Sequence, residues 1–118
     1  VAGFIGSPPM NFIEGQIIKE NGKSFFDSKI LKRKVELNNM LNKSNSSYLS
    51  FRPQHVYITN DQDYDLELKI FGIENLGKEI IIICEYGENK IRVIVESFTS
   101  QINDLVKLKI DKENILLF

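Results

Sequence analysis

The chain is poor in the residues from which metal sites and nucleophilic centres are usually assembled. It has one cysteine, one histidine, no tryptophan and three prolines in 118 residues. The lone Cys84 cannot close an internal disulfide, which fits a reducing compartment. With one His, one Cys and neither HExxH nor CxxC, a zinc site would draw most of its ligands from carboxylates. Neither sign of charge is in excess: 15 Lys and Arg against 16 Asp and Glu give a formal net charge of −1. The basic surplus that usually marks nucleic-acid binders is therefore missing. No apolar run approaches the ~20 residues needed to span a bilayer. The opening VAGFIG is too short for a signal-peptide core and has no basic residues before it. These absences lead us to expect a cytoplasmic protein.

What the chain does have is strand. Apolar residues make up 42% and charged residues 26%, ordinary for one globular domain, which at this length buries roughly two-thirds of its unfolded surface. Phe12–Lys19 and Lys23–Asp27 flank Glu20-Asn21-Gly22, and Asn-Gly between apolar runs is a hairpin signal. Lys29–Val35 reads as a further strand. Leu37, Met40 and Leu41, spaced i, i+3, i+4, predict a short helix over Glu36–Lys43. The polar loop Ser44-Asn45-Ser46-Ser47 leads into a strand over Tyr48–Arg52, stopped by Pro53. Tyr64–Glu74 alternates, with Leu66, Leu68 and Ile70 on one face and Glu67, Lys69 and Phe71 on the other. Glu79–Tyr86 carries four consecutive isoleucines, as a strand buried on both faces would. Gly87-Glu88-Asn89 turns it into Lys90–Glu96, where Ile91, Val93 and Val95 oppose Arg92 and Glu96. Val106–Ile110 and Asn114–Phe118 close the chain. Many short strands at intervals of roughly 8–12 residues predict an all-β fold, a small barrel or sandwich.

Four groups of residues suggest chemistry. Gly72 to Lys78 matches the phosphate loop GxxxxGK, but Glu79 stands where Ser or Thr would ligate magnesium, and a strand, IIIIC, follows where a helix is needed. A tight turn between two strands is the better reading. Asp61, Asp63 and Asp65 resemble the start of a calcium loop, yet Leu66 and Gly72 occupy the positions that require Gly and Glu; a solvated turn is expected. A Cys84–His55 nucleophile pair is opposed by the isoleucines around Cys84, because reactive thiols need polar, partly open surroundings. Lys29, Lys32, Arg33 and Lys34, beside Phe25 and Phe26, could form a strip for stacking single-stranded nucleic acid. A strand edge protected by lysines explains them with less.

The most specific stretch is the first. VAGFIGSPPMNF resembles the junction in the ATP-binding subunits of carbohydrate ABC importers of the maltose, multiple-sugar and glycerol-3-phosphate type. There it joins the nucleotide-binding domain to a C-terminal regulatory domain with an OB-like fold, the TOBE type. Phe51-Arg52-Pro53-Gln54-His55 is similar to that family's Gly-Ile-Arg-Pro-Glu-His element, with Gln54 in place of the Glu and Ser50 in place of the Gly. Glu74-Asn75-Leu76-Gly77-Lys78-Glu79 resembles its Glu-x-Leu-Gly-x-Glu turn, and Leu108–Phe118 its closing stretch. Pro8 and Pro9 drive the residues before them out of helical geometry, so the joint should be extended and stiff.

The resemblance implies a junction over residues 1–11 and an OB-like barrel with one or two short helices over 12–118. It implies a non-catalytic regulatory and dimerisation domain, whose parent couples ATP hydrolysis to uptake of a sugar or sugar phosphate. No cofactor is expected in this fragment, ATP and magnesium belonging to the nucleotide-binding domain. The expected partners are a second copy, the transporter's membrane subunits through the parent, and a regulatory protein, with no nucleic acid. The location would be the inner face of the cell membrane. The candidate contact residues are Arg52, Gln54, His55, Phe71, Glu74, Gly77 and Tyr86, with Phe71 and Tyr86 as apolar anchors and Arg52 suited to pairing with a carboxylate or strand-end carbonyls. Two other classes are a TOBE domain that senses an oxyanion and an OB module that binds single-stranded nucleic acid.

Overall fold

The computed structural model describes residues 9–37 and 46–118. Eleven strands form three antiparallel sheets among them. The largest has five strands in the order β6 (Val56–Thr59), β10 (Leu105–Ile110), β7 (Leu66–Asn75), β8 (Ile80–Tyr86) and β9 (Asn89–Val95). It curls until its two edges, β6 and β9, approach each other, giving a half-barrel. The second sheet is β1 (Asn11–Glu14), β5 (Tyr48–Phe51) and β11 (Leu116–Leu117), with β5 in the middle. The third is β2 (Gln16–Glu20), β3 (Lys23–Asp27) and β4 (Val35–Leu37). Short 3-10 turns at Pro53–His55 and Lys112–Asn114 supply the described helical content.

The alternation read from β7 is what closes the barrel. Leu66, Leu68 and Ile70 point inward and are at most 1% exposed, while Glu67, Lys69 and Phe71 face out. Ile82, Cys84, Ile91, Val93 and Leu108 complete the interior, all fully buried. At Ile81 and Ile82 two successive residues of β8 are buried, so this strand is covered on both faces at its centre. The expected Asn-Gly hairpin joins β2 to β3, with φ of 53° at Asn21 and 79° at Gly22. Positive φ at both central residues gives the backbone twist that a two-residue hairpin needs.

The run Phe12–Lys19 is not one strand. It divides at Gly15: β1 pairs with β5 in one sheet and β2 with β3 in another. A Cβ at Gly15 would lie 2.2 Å from the carbonyl oxygen of Asp27 and 2.7 Å from the Phe26 ring, so only glycine lets the chain change sheets here. The strand expected over Lys29–Val35 is also absent. Residues 28–34 form turns and bends, and only Val35 enters β4. Ile30 and Leu31, adjacent in sequence, are both buried, which strand alternation on an exposed edge would forbid. Of the helix expected over Glu36–Lys43, Glu36 and Leu37 lie in β4, and residues 38–43 lie outside the described residues. So does most of the 1–11 junction. Val56–Thr59, which the sequence reading passed over, is β6.

Candidate interaction surfaces

The polar cluster at the barrel end is a charged clasp. Asp65 is fully buried. Its Oδ1 accepts from Arg33 Nε at 3.2 Å, and its Oδ2 accepts from the Ile110 amide at 2.8 Å and from Lys112 Nζ. Its own carbonyl accepts from the Lys32 amide at 2.7 Å. One carboxylate thus ties residues 28–34 to the start of β7 and the end of β10. Asp63, outside it, pairs with Arg33 and Lys109. These two contacts, the Lys109 hydrogen bond foremost, hold the Asp63 carboxyl down at about 2. The calcium-loop resemblance is thereby explained: two of its three carboxylates are occupied by cations of the protein. Asp65 is no solvated turn residue, and nothing local marks it, since its partners are 32, 45 and 47 positions away.

The same contacts take apart the basic strip. Arg33 is engaged by Asp63 and Asp65, Lys34 donates to Glu20 at 2.7 Å, and Phe26 is buried in the core. Lys34 also sits 5.7 Å over the Phe25 ring, so the aromatic and the cation satisfy each other. Gly77, at φ +92°, lies in the turn between β7 and β8, with the Leu76 amide donating to the Glu79 carbonyl at 2.8 Å. Strands stand on both sides, and no helix offers amides to a phosphate. Cys84 is buried among isoleucines, and burial pushes its thiol up to about 12. A thiolate is therefore scarce at neutral pH. No cluster of three or more metal-ligating residues occurs among the described residues, and no described helix is long and apolar enough to cross a membrane.

The candidate contact residues fall in four separate places. Arg52, Gln54 and His55 belong to the 3-10 turn between β5 and β6, which packs against β9. Arg52 and Gln54 are exposed, and among the described residues Arg52 has neither the carboxylate nor the carbonyl partner expected of it. The His55 amide donates to the Arg52 carbonyl, and the His55 carbonyl accepts from the Asp111 amide, both at 2.9 Å; Nδ1 is buried without a hydrogen-bond partner. Glu74 and Gly77 are exposed at the β7–β8 tip. Phe71 sits at a bulge on the barrel exterior, 52% exposed, with Lys90 Nζ 4.7 Å from its ring centroid. Tyr86 lies at the rim, lining a cleft of about 730 Å³ with Glu14, Asp27, Lys29 and Asn89. Phe71 and Tyr86 do not share a face: Phe71 points outward, and Tyr86 has the strand parity of inward-facing Cys84.

The sequence reading missed the outer face of the β1–β5–β11 sheet. Its inner face is sealed by Ile13, Leu49, Phe51 and Leu117. Outside it, Phe12, Tyr48, Leu116 and Phe118 are 47%, 41%, 43% and 56% exposed. Phe12 lies edge-on to Tyr48 at 6.3 Å between centroids and 5.9 Å from Phe118. Between β1 and β11, Ser50 is fully buried and donates to the Asn11 carbonyl at 2.8 Å. Asn11 fastens this sheet to the barrel. Its side-chain Nδ2 donates to the Arg92 carbonyl at 2.9 Å, and its Oδ1 accepts from the Arg92 amide at 2.7 Å. One side-chain amide thus occupies the open edge of β9 where a strand would otherwise pair. Alternation alone could have flagged the outer face, since Phe12 and Ile13 are apolar on opposite sides of one strand.

No protein-family model matches the chain. Over its full length it is 28% identical, in an alignment of 129 residues, to the uncharacterized ABC transporter ATP-binding protein YurJ of Bacillus subtilis. The chain spans only 35% of that relative's length and aligns with its C-terminal part. Among solved structures, a molybdate-bound crystal form of the cytoplasmic molybdate-binding protein ModG superposes with a TM-score of 0.60 at 12% identity, covering 97% of each chain. The fold is accordingly all-β and OB-like, of the TOBE type, on a chain similar to part of an ABC transporter ATP-binding protein.

Proposed function

We propose that this chain is a regulatory domain of the ATP-binding subunit of an ABC importer for a sugar or sugar phosphate. In this reading it performs no hydrolysis itself and holds two subunits together while their nucleotide-binding domains open and close. The observation that carries the reading is the whole-length similarity to an ABC transporter ATP-binding protein, joined to an OB-like fold. In keeping with it, the Cys84 thiol is buried and the carboxylates of Asp63 and Asp65 are paired with cations. The four groups of candidate residues would then act as contact points. Phe71, exposed on the barrel wall beneath Lys90, is the better dimer anchor, and Arg52 and Gln54, exposed at the 3-10 turn that packs against β9, are suited to a regulatory protein. ATP and magnesium would bind in the parent's nucleotide-binding domain, and the complex would sit on the inner face of the membrane through its membrane subunits.

The test is made on the full-length parent. Deleting this domain should leave ATP hydrolysis measurable while abolishing stable dimerisation in analytical ultracentrifugation. A full-length protein without ATPase activity would overturn the reading. Calorimetry with molybdate, sulfate and sugar phosphates addresses oxyanion sensing directly, and a micromolar binding isotherm with any of them would replace the proposal with that one.

A further inference from the structure

We infer that the outer face of the β1–β5–β11 sheet is the seat of the parent's own ATP-binding portion, packed in cis. This rests on the reading just given, that the chain is the C-terminal part of a longer ATPase. Phe12, Tyr48, Leu116 and Phe118 lie on one surface, each 41% to 56% exposed, with the Phe12 ring 6.3 Å from that of Tyr48 and 5.9 Å from that of Phe118. Exposed aromatics so grouped mark a contact surface. Three observations select its occupant.

The first is size. With rings and a leucine about half exposed, the patch offers on the order of 350 Å². That is under half of the roughly 800 Å² per partner of a stable intermolecular interface. A tethered partner needs much less, because a short linker holds it at millimolar effective concentration. The second is position. β1, which carries Phe12, begins at Asn11, two residues beyond Pro9, the first described residue of this stretch. A segment preceding the chain, as in the relative of which this chain spans 35%, would be joined to this sheet through the ten residues before β1. The third is rigidity. The Asn11 side chain is locked to the Arg92 backbone and Ser50 to the Asn11 carbonyl. The incoming strand is therefore pinned to the barrel, and a body packed on this face would be held at a fixed offset from it.

The experiment is hydroxyl-radical footprinting of the full-length parent, read by mass spectrometry. Reference residues of the same types lie elsewhere on the barrel: Tyr57 is 51% exposed against 41% for Tyr48, and Leu105 is 65% exposed against 43% for Leu116. Packing in cis predicts that Tyr48 is labelled at least about fivefold more slowly than Tyr57, and Leu116 likewise against Leu105, with ratios unchanged on hundredfold dilution. Labelling of Tyr48 and Leu116 in proportion to their exposures would overturn the inference. So would protection that disappears on dilution, which would assign the face to a second copy. ATPase activity of the same preparation separates the two claims: activity without protection sinks only this inference, whereas absent activity sinks the reading beneath it.

Discussion

The five-stranded half-barrel and the β1–β5–β11 sheet divide their residues differently. The barrel turns Leu66, Leu68, Ile70 and Leu108 inward, and its exterior along β7 and β10 sets Glu67, Lys69, Lys107 and Lys109 beside the exposed Phe71 and Leu105. The small sheet carries large apolar residues on both faces: Ile13, Leu49, Phe51 and Leu117 within, Phe12, Tyr48, Leu116 and Phe118 without, the last group beside the exposed Glu14. A barrel wall of the first kind interleaves charges with its exposed apolar residues, as Lys90 over Phe71. A sheet of the second kind has a face whose apolar residues contribute little to the stability of this unit. The contrast separates residues that hold the fold from residues available for contact.

The comparison is sharpened most by the barrel core. Leu108→Ala removes a fully buried side chain and should cost about 3 kcal/mol in urea denaturation. A loss below 1 kcal/mol would mean that the barrel is not the stable half. Nearly as large is Asp65→Ala at the clasp. Removing the buried carboxylate leaves the Ile110 amide without its acceptor and takes one partner each from Arg33, which keeps Asp63, and Lys112, which keeps the Ile110 carbonyl, a loss of about 2 kcal/mol. Asp63→Ala, outside the same clasp, should cost far less and lose its effect in high salt.

Acid titration distinguishes the clasp further. The Asp63 carboxyl, at about 2 in the fold against an ordinary 3.8, is depressed. Its stabilising contribution is therefore complete above about pH 4 and lost as pH falls through about 2. Wild type should lose stability relative to Asp63→Asn across that window, and the two should converge at its lower end. Parallel curves would show that the Lys109 and Arg33 contacts do not persist in solution. The smallest expected effect belongs to the outer face of the small sheet. Phe12→Ser and Phe118→Ser should each change stability by no more than about 0.5 kcal/mol. A change above 2 kcal/mol would make these rings part of the core and erase the distinction.

Local pattern specified the alternating strands. β7 and β9 are legible because their buried positions recur every second residue, β8 because its isoleucine run marks a strand covered on both faces, and the β2–β3 hairpin because Asn21-Gly22 accepts positive φ. The all-β class followed from the number and spacing of such strands; the OB-like form was implied by the family resemblance of residues 1–12, 51–55, 74–79 and 108–118. The exposed apolar positions were only partly legible. Phe71 was placed correctly on an outer face, whereas the Phe12–Phe118 surface forms only when strands from the start, middle and end of the chain meet.

Tertiary structure decided the rest, for a common physical reason. The change of sheet at Gly15 depends on how close Asp27 and Phe26 come. The loss of a strand over residues 28–34 depends on Asp65, and the capping of β9 on Asn11, whose amide reaches Arg92 across 81 positions of sequence. Val56–Thr59 was too short, between Pro53 and the polar residues 60–63, for its alternation to be read before β10 was there to pair with it. Periodicity reports which side of its own strand a residue occupies; it carries no information about which distant carboxylate, carbonyl or ring will be waiting on that side.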